Sequence, residues 1–191
     1  MTMPSPTLEI AVAEIVEAID RWLEAFHTPL LVAIDGRSGT GKSLISARVA
    51  ESFGAALVHS DDFFSATVTA VEWDARTAIE RARDCLDWRR LRSEALLPLL
   101  DGNAAEWDQI RVEPRPIILM EGVYASRPEL ADLAGLTILV QAPDVVIRER
   151  LAAREEAATL SEWQRRWMPA ERHFFQQIRP PASFDLVVQN P

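Results

Sequence analysis

The sequence is short of several residue types, and each shortage excludes a class of protein. Its 191 residues include one cysteine, Cys85, which excludes an intramolecular disulfide. We expect Cys85 to be a small buried residue. A chain without disulfides fits a reducing compartment, so we expect a cytoplasmic protein. No hydrophobic run is long enough to span a bilayer. The segment 1–6 lacks the basic and apolar regions of a signal peptide, so we expect no membrane partner.

Positive charge is also scarce. Lysine and arginine together number 20 against 29 acidic residues, which gives a net charge of −9 and argues against a nucleic-acid partner. Lys42 is the only lysine of the chain, and the other basic side chains are arginines and histidines. The hydrophobic share of 48% and the charged share of 26% are those of an ordinary globular protein. We expect a single domain over 1–191.

The only lysine lies in the segment Gly36–Ser43, which matches the phosphate-binding pattern G-x-x-x-x-G-K-[ST] completely. Its glycines let successive backbone N–H groups turn toward a phosphate, and the following helix directs its positive end at the same anion. Lys42 can reach the β- and γ-phosphates of ATP, and the Ser43 hydroxyl can bind Mg²⁺. The candidate phosphate contacts are Gly36, Ser38, Gly39, Thr40, Gly41, Lys42, Ser43 and Leu44.

The pattern of hydrophobic residues predicts strands alternating with helices. The apolar run 30–34 before the loop indicates a buried strand, and residues 44–50 after it have helical spacing. This order predicts an α/β fold with a mainly parallel, five-stranded sheet and helices on both faces. The predicted strands are 30–34, 55–58, 116–120, 136–140 and 186–188, and the predicted helices are 7–26, the one ending near 53, 75–86, 88–100, 143–156 and 161–177.

Two stretches of this prediction leave questions open. Residues 63–75 show no regular pattern, and we expect an irregular segment there. The helix within 1–27 is amphipathic, and its apolar face fits packing on its own domain or on a second copy in a homo-oligomer.

Carboxylates follow two of the predicted strands, and ligands of parallel sheets bind at this edge. Asp61 follows the second strand and is our candidate for the base that accepts a proton from a substrate hydroxyl. Asp62 is the competing candidate, and an Asp-Asp pair can also simply form a turn. Glu121 ends the third strand and is a candidate for supporting Mg²⁺, the alternative being a turn residue before Gly122.

Arginines cluster on the predicted helices after the fourth strand. Arg150 and Arg154 are four residues apart and share a helix face, from which they can close over a phosphoryl group as a lid within 148–168. A solvated charged face is the alternative, and the same alternatives apply to Arg165. The neighbouring tryptophans, Trp163 and Trp167, have a spacing that is more typical of a core than of a stacking platform.

Other catalytic patterns are missing from the sequence. The three histidines, His27, His59 and His173, show no metal-ligand spacing. Ser38 does not lie in a nucleophile elbow. A guanine-reading Asn-Lys-x-Asp segment does not occur, which argues against a GTPase switch. The alternative to an enzyme is a protein of another class, a non-catalytic ATP-binding regulatory module.

These segments together resemble the uridine kinase-like family of P-loop nucleoside kinases, in the group that includes phosphoribulokinase and pantothenate kinase. The resemblance extends from about residue 30 and includes the segments 36–43, 59–64, 84–88, 121–125 and 148–154. It implies a three-layer P-loop NTPase fold, ATP and Mg²⁺ as cofactors, and phosphoryl transfer to a small hydroxyl acceptor. It also implies that Asp61 is the base, that Phe63 follows it in the acceptor site, and that Asp84 binds ribose hydroxyls.

The sequence departs from that family in one stretch. The family has a longer hairpin whose Tyr and His recognise a pyrimidine base, whereas residues 101–111 are short and contain neither residue. Trp107 is the remaining aromatic candidate there, able either to stack on a base or to fill a groove. From the resemblance we expect a kinase whose acceptor is a nucleoside such as uridine or cytidine. The short segment 101–111 favours the alternative of a sugar, a pantothenate-like compound or an antibiotic.

Overall fold

The computed structural model describes residues 6–26, 28–154 and 156–191, and residues 1–5, His27 and Glu155 lie outside it. The expectations for residues 1–5 and for Glu155 as part of a helix therefore lie outside the described residues. Helices α1 to α4 are Pro6–Ala25, Lys42–Phe53, Ala70–Ala75 and Ala78–Asp84, and helices α5 to α8 are Trp88–Arg90, Leu97–Leu100, Asp144–Arg154 and Ala157–His173. Strands β1 to β7 are Leu30–Asp35, Ala56–His59, Ala105–Trp107, Ile110–Val112, Ile117–Glu121, Leu136–Gln141 and Leu186–Gln189.

A five-stranded sheet lies at the centre of the molecule, with the order β2-β5-β1-β6-β7. All four strand pairings are parallel, and β1 lies between β5 and β6 with Ile34 opposite Glu121 and Ile138. The predicted α/β class with a mainly parallel five-stranded sheet is confirmed. Parallel pairing brings the carboxyl ends of β1, β2 and β5 to one edge, which is where the polar segments of the sequence meet.

Side chains of the central strand alternate between two hydrophobic cores, because successive residues of a strand point to opposite faces. Leu30, Val32 and Ile34 pack in the core that contains α1 and α2. Leu31 and Ala33 pack in the other core, which contains the helices from α3 to α6, the antiparallel hairpin β3-β4 and helix α8. The result is three layers, with helices on both faces of the sheet.

The segment from Ser60 to Arg76 is more regular than the sequence predicts. Ser60–Phe63 forms a 3₁₀ turn, and α3 covers residues that we expected to be irregular. The helix begins at a capping box in which Thr69 accepts a hydrogen bond from the Glu72 backbone and the Glu72 carboxylate accepts one from the Thr69 backbone. This expectation was wrong because the helix is held by its cap and has only a short apolar pattern.

The amphipathic helix α1 packs on its own sheet. Ile15 and Ile19 are completely buried beside sheet residues such as Val32 and Ile138. Of the residues that the structure describes, none belongs to a helix that is both long and apolar enough to cross a membrane.

We predict that Ile19→Ala lowers the free energy of unfolding by about 2–5 kcal/mol, because it removes a buried side chain and leaves a cavity. Ile10 lies on the same helix and is 58% exposed, so Ile10→Ala is the matched control and should cost within about 0.5 kcal/mol. Urea unfolding of both variants measures the difference. Equal losses would contradict the packing of α1 on the sheet.

Candidate active site

The phosphate-binding pattern forms the connection between β1 and α2. Arg37 and Thr40 close its turn, with the Thr40 N–H and hydroxyl donating to the Arg37 carbonyl at 3.2 and 2.8 Å. Gly41 has a φ of 87°, and a Cβ atom there would collide with the side-chain amide of Asn190. The same amide donates to the Thr40 carbonyl at 2.8 Å. The loop therefore needs glycine at position 41 for both its dihedral angle and this close approach.

A buried carboxylate fixes the start of the loop. Asp35 is the last residue of β1, is fully buried and accepts four hydrogen bonds. Its Oδ1 accepts from the N–H groups of Gly36 and Tyr124 at 2.7 and 2.9 Å, and its Oδ2 accepts from the N–H and hydroxyl of Ser126 at 2.8 and 2.6 Å. Burial raises the pKa of Asp35, and the bonds from Ser126 and Gly36 oppose this effect.

Glu121, at the end of β5, lies directly beside Ser43 of the loop. The Ser43 hydroxyl donates to Glu121 Oε2 at 3.2 Å, and Oε1 is 2.6 Å from Nδ1 of His59. Glu121 is 4% exposed. Mg²⁺ prefers oxygen ligands and keeps several waters, so a hydroxyl beside a buried carboxylate fits this ion. Among the described residues no group of three or more His, Cys, Asp or Glu side chains forms a metal site, so phosphates and water would complete the coordination.

Two cavities meet beside the loop. The first, which we call the loop cavity, has a volume of about 290 Å³ and is lined by residues that include Gly39, Gly41, Lys42, Ser43, Arg150 and Arg154. The second, which we call the aromatic cavity, has a volume of about 300 Å³ and is lined by residues that include Phe64, Leu86, Tyr124, Trp163, Trp167 and Glu171. Ser38 and Asp61 line both. A molecule bound in one cavity would therefore lie next to a molecule bound in the other.

Asp61 lies on the 3₁₀ turn that follows β2, at this junction. Burial raises its pKa, while the positive charge of Lys42 lowers it and the negative charge of Glu121 raises it. A partly desolvated carboxylate near the ammonium of Lys42 has the chemical properties of a base that accepts a hydroxyl proton.

Solved structures of several proteins share this architecture. A proposed uridine kinase from Bacillus stearothermophilus is similar with a TM-score of 0.65 and 16% identity, over 95% of this chain and 98% of that chain. A proposed fructose transport system kinase from Silicibacter sp. TM1040 gives a TM-score of 0.65 and 18% identity, over 92% and 98%. The protein YGR205w gives a TM-score of 0.64 and 12% identity, over 97% of this chain and 94% of that chain. The sequence matches no protein-family model, and no curated protein matches it.

The chain has the fold of the P-loop small-molecule kinases. The resemblance to the uridine kinase-like group is therefore confirmed for the fold, together with the three-layer arrangement that it implied. In this fold the loop joins the central strand β1 to helix α2, and the carboxyl ends of β2 and β5 lie beside the loop.

The two arginines that the sequence predicts for a lid, Arg150 and Arg154, lie on α7 and line the loop cavity. The guanidinium of Arg150 donates to the carbonyls of Asn190 at 3.0 Å and Thr40 at 3.4 Å. Arg154 lines the same cavity one helical turn further along. Arg150 therefore contacts the loop at Thr40, and Arg154 is the last residue of α7.

Four residues predicted for the acceptor site lie outside the wall of the aromatic cavity. Phe63 is completely buried and packs on Trp107 with ring centroids 5.3 Å apart. Trp107 is 3% exposed and donates to Asp62 at 3.2 Å, so it fills a groove between the hairpin and the turn. Asp84 faces a surface groove, where it binds Arg83 at 2.6 Å. The side chain of Arg165 is 63% exposed and reaches Asp74 at 3.5 Å.

Sequence reasoning missed Glu171, which the structure brings to the loop from α8. Glu171 is 2% exposed, and its carboxylate accepts hydrogen bonds from the N–H and the hydroxyl of Ser38 at 3.1 and 2.5 Å. Burial raises its pKa, and the bonds from Ser38 together with the charge of Lys42 oppose this effect. His59 and Asn190 were missed as well, because their contacts with Glu121 and Thr40 join residues far apart in the chain.

Cys85 is buried, as the sequence predicts, although it also lines the aromatic cavity. Burial raises the pKa of its thiol to about 12, so it is a neutral wall residue.

We predict that Asp35→Asn lowers the free energy of unfolding by at least about 2 kcal/mol, because an amide NH₂ cannot accept from donors that Asp35 now satisfies. Asp185 is the matched control, since its exposed carboxylate accepts from the N–H and the hydroxyl of Thr137 at 2.8 and 2.7 Å. Asp185→Asn should cost less than about 1 kcal/mol. Urea unfolding measures both, and an unchanged midpoint for Asp35→Asn would contradict the role of this carboxylate.

Proposed function

We propose that this protein transfers the γ-phosphoryl group of ATP to a hydroxyl group of a small molecule. The observation that supports the proposal most directly is that Asp61 lines both cavities. A carboxylate at the junction between a phosphate-binding loop and a separate cavity can reach a hydroxyl of a molecule bound in the second cavity. Structural similarity to kinases of the same fold supports the reaction class.

In the proposed reaction, the backbone amides of the loop and the ammonium of Lys42 hold the phosphates of ATP. The acceptor hydroxyl attacks the γ-phosphorus, the bond to the β–γ bridging oxygen breaks, and ADP leaves with that electron pair. The hydroxyl proton goes to the carboxylate of Asp61. Ser43 and Glu121 would hold Mg²⁺, which supplies positive charge for the phosphate oxygens. Arg154 is the candidate for neutralising the transferring group, with Arg150 as the second member of the lid.

A nucleoside acceptor, such as uridine or cytidine, remains the proposal drawn from the sequence. The geometry of the acceptor side gives it less support than the phosphate side, because Trp107 is buried and Asp84 faces another groove. A sugar or another hydroxyl-bearing metabolite fits the same loop and the same base.

Substitutions at three positions separate nucleotide binding from transfer. Lys42→Ala should weaken binding of an ATP analogue and abolish turnover. Asp61→Asn should retain analogue binding and lower kcat by about 10²–10⁴-fold, because it removes the base. Asp62→Asn is the matched control, since the Asp62 carboxylate accepts from Trp107 outside both cavities.

The measurement is ADP release in the presence of a panel of alcohols, with analogue binding followed separately. Asp62→Asn should remain within a few-fold of the original protein. Full turnover by Asp61→Asn, or a loss confined to Asp62→Asn, would contradict the assignment of Asp61.

The pH dependence of transfer provides a second test. Asp61 must be deprotonated to accept a proton, and burial raises its pKa above the ordinary value of 3.8. Activity should therefore be lost as the pH falls through that raised pKa, and it should be complete above it. The acid limb of the kcat/KM profile measures this pKa, and a limb at or below 3.8 would contradict the prediction.

A further inference from the structure

Four aromatic residues line the aromatic cavity, namely Phe64, Tyr124, Trp163 and Trp167. Phe64 and Trp167 meet edge to face with ring centroids 5.5 Å apart, and Trp163 lies one turn before Trp167 on α8. The face of an aromatic ring carries negative charge density, so it attracts an organic cation as well as another ring.

Negative charge is the second property of this cavity. Asp61 and Glu171 line it, whereas none of the lining residues that the structure describes is Lys, Arg or His. The guanidinium of Arg37 has its Nε 4.0 Å from Glu171 and donates to Asp144 at 2.6 Å. Lys42 acts on both carboxylates from the loop cavity, but its ammonium is the group that the phosphates of ATP require. Bound ATP would thus leave the two carboxylates with less of the positive charge that Lys42 supplies.

Polar groups without a partner form the third property. Ser60, Tyr124 and Trp163 line the cavity, and within the described part of the chain the buried Ser60 hydroxyl, Tyr124 hydroxyl and Trp163 indole N–H have no hydrogen-bond partner. Buried polar groups normally have a partner, so these three indicate a polar ligand or water in the cavity. The carboxylates and these groups surround an interior of about 300 Å³, at the lower end of ordinary ligand sites.

These observations together restrict the charge of the acceptor, an inference that rests on the proposed function. We propose that the acceptor is a hydroxyl-bearing organic cation, an ammonium or quaternised nitrogen compound, whose charged centre contacts Trp163 and Trp167 near Glu171 while its hydroxyl reaches Asp61.

Other charge types fit the cavity less well. An anionic acceptor would be buried beside two carboxylates, with no Lys, Arg or His among the described residues of the wall. A neutral acceptor would leave Glu171 with only Arg37 and the hydrogen bonds from Ser38 once Lys42 contacts phosphate. A cation satisfies the carboxylate and the aromatic rings at the same time.

A binding experiment with matched probes tests this inference on the full chain saturated with a nonhydrolysable ATP analogue and Mg²⁺. The probes are choline, its neutral isostere 3,3-dimethylbutan-1-ol, and glycerate as an anion, followed by tryptophan fluorescence and by the Trp163 indole N–H signal in NMR. Choline should bind at least about tenfold more tightly than the isostere, since a desolvated cation–π contact is worth about that factor. Glycerate should not bind.

Three variants identify the residues responsible. Glu171→Gln and Trp163→Leu should each remove most of the preference for choline over the isostere while retaining the ATP analogue. Glu156→Gln removes an exposed carboxylate at the start of the same helix and should leave the preference unchanged. If Glu171→Gln disturbs folding because it changes the contact with Ser38, Trp163→Leu still tests the inference.

The outcomes separate this inference from the proposed function. Equal binding of the isostere, or no saturable binding of choline, would overturn the cationic acceptor. Turnover is measured in parallel with glucosamine against glucose and choline against its isostere. Transfer to the neutral members with no preference for the cations would contradict the inference alone. Cation binding with no transfer to any alcohol would contradict the kinase alone.

Discussion

The Asp35 carboxylate is the constraint on which both halves of the site depend. Its four hydrogen bonds join the first residue of the loop to the segment after β5, from which Tyr124 lines the aromatic cavity. A rotation of this one side chain would therefore shift the phosphate side and the acceptor side together. Because the carboxylate is fully buried, water cannot replace the lost bonds, and the connection is rigid.

The sequence predicts most of the sheet and the phosphate side, since both depend on local patterns. Apolar runs of buried parallel strands and a glycine-rich segment can be recognised from a few neighbouring residues. Even the convergence of Asp61 and Glu121 follows from the rule that parallel strands end at one edge. The prediction was wrong over Ala70–Ala75, where the capping box at Thr69 determines the helix and the apolar spacing is too short to show it.

The acceptor side could not be predicted, because its contacts join residues far apart in the chain. Glu171 and Ser38 are separated by 133 positions, and nothing near either residue indicates the contact. The same limit applies to the tryptophans. Trp107, on strand β3, is buried against Phe63, whereas Trp163 and Trp167, on helix α8, line the cavity. The side of an element that packs on the core depends on the tertiary arrangement, which periodicity alone does not contain.

Electrostatics connects the two halves more closely than their separate sequence signals suggest. In the proposed reaction, a chain with a net charge of −9 and one lysine would bind ATP through local fields, and the loop amides and Lys42 would carry most of that task. The same ammonium also stabilises Asp61 and Glu171 in their charged forms. Under the proposed function, bound phosphate would therefore compete with Asp61 and Glu171 for the charge of Lys42. The cationic acceptor that we propose would reduce this competition, because it would bring a further positive charge to the carboxylates when Lys42 contacts ATP.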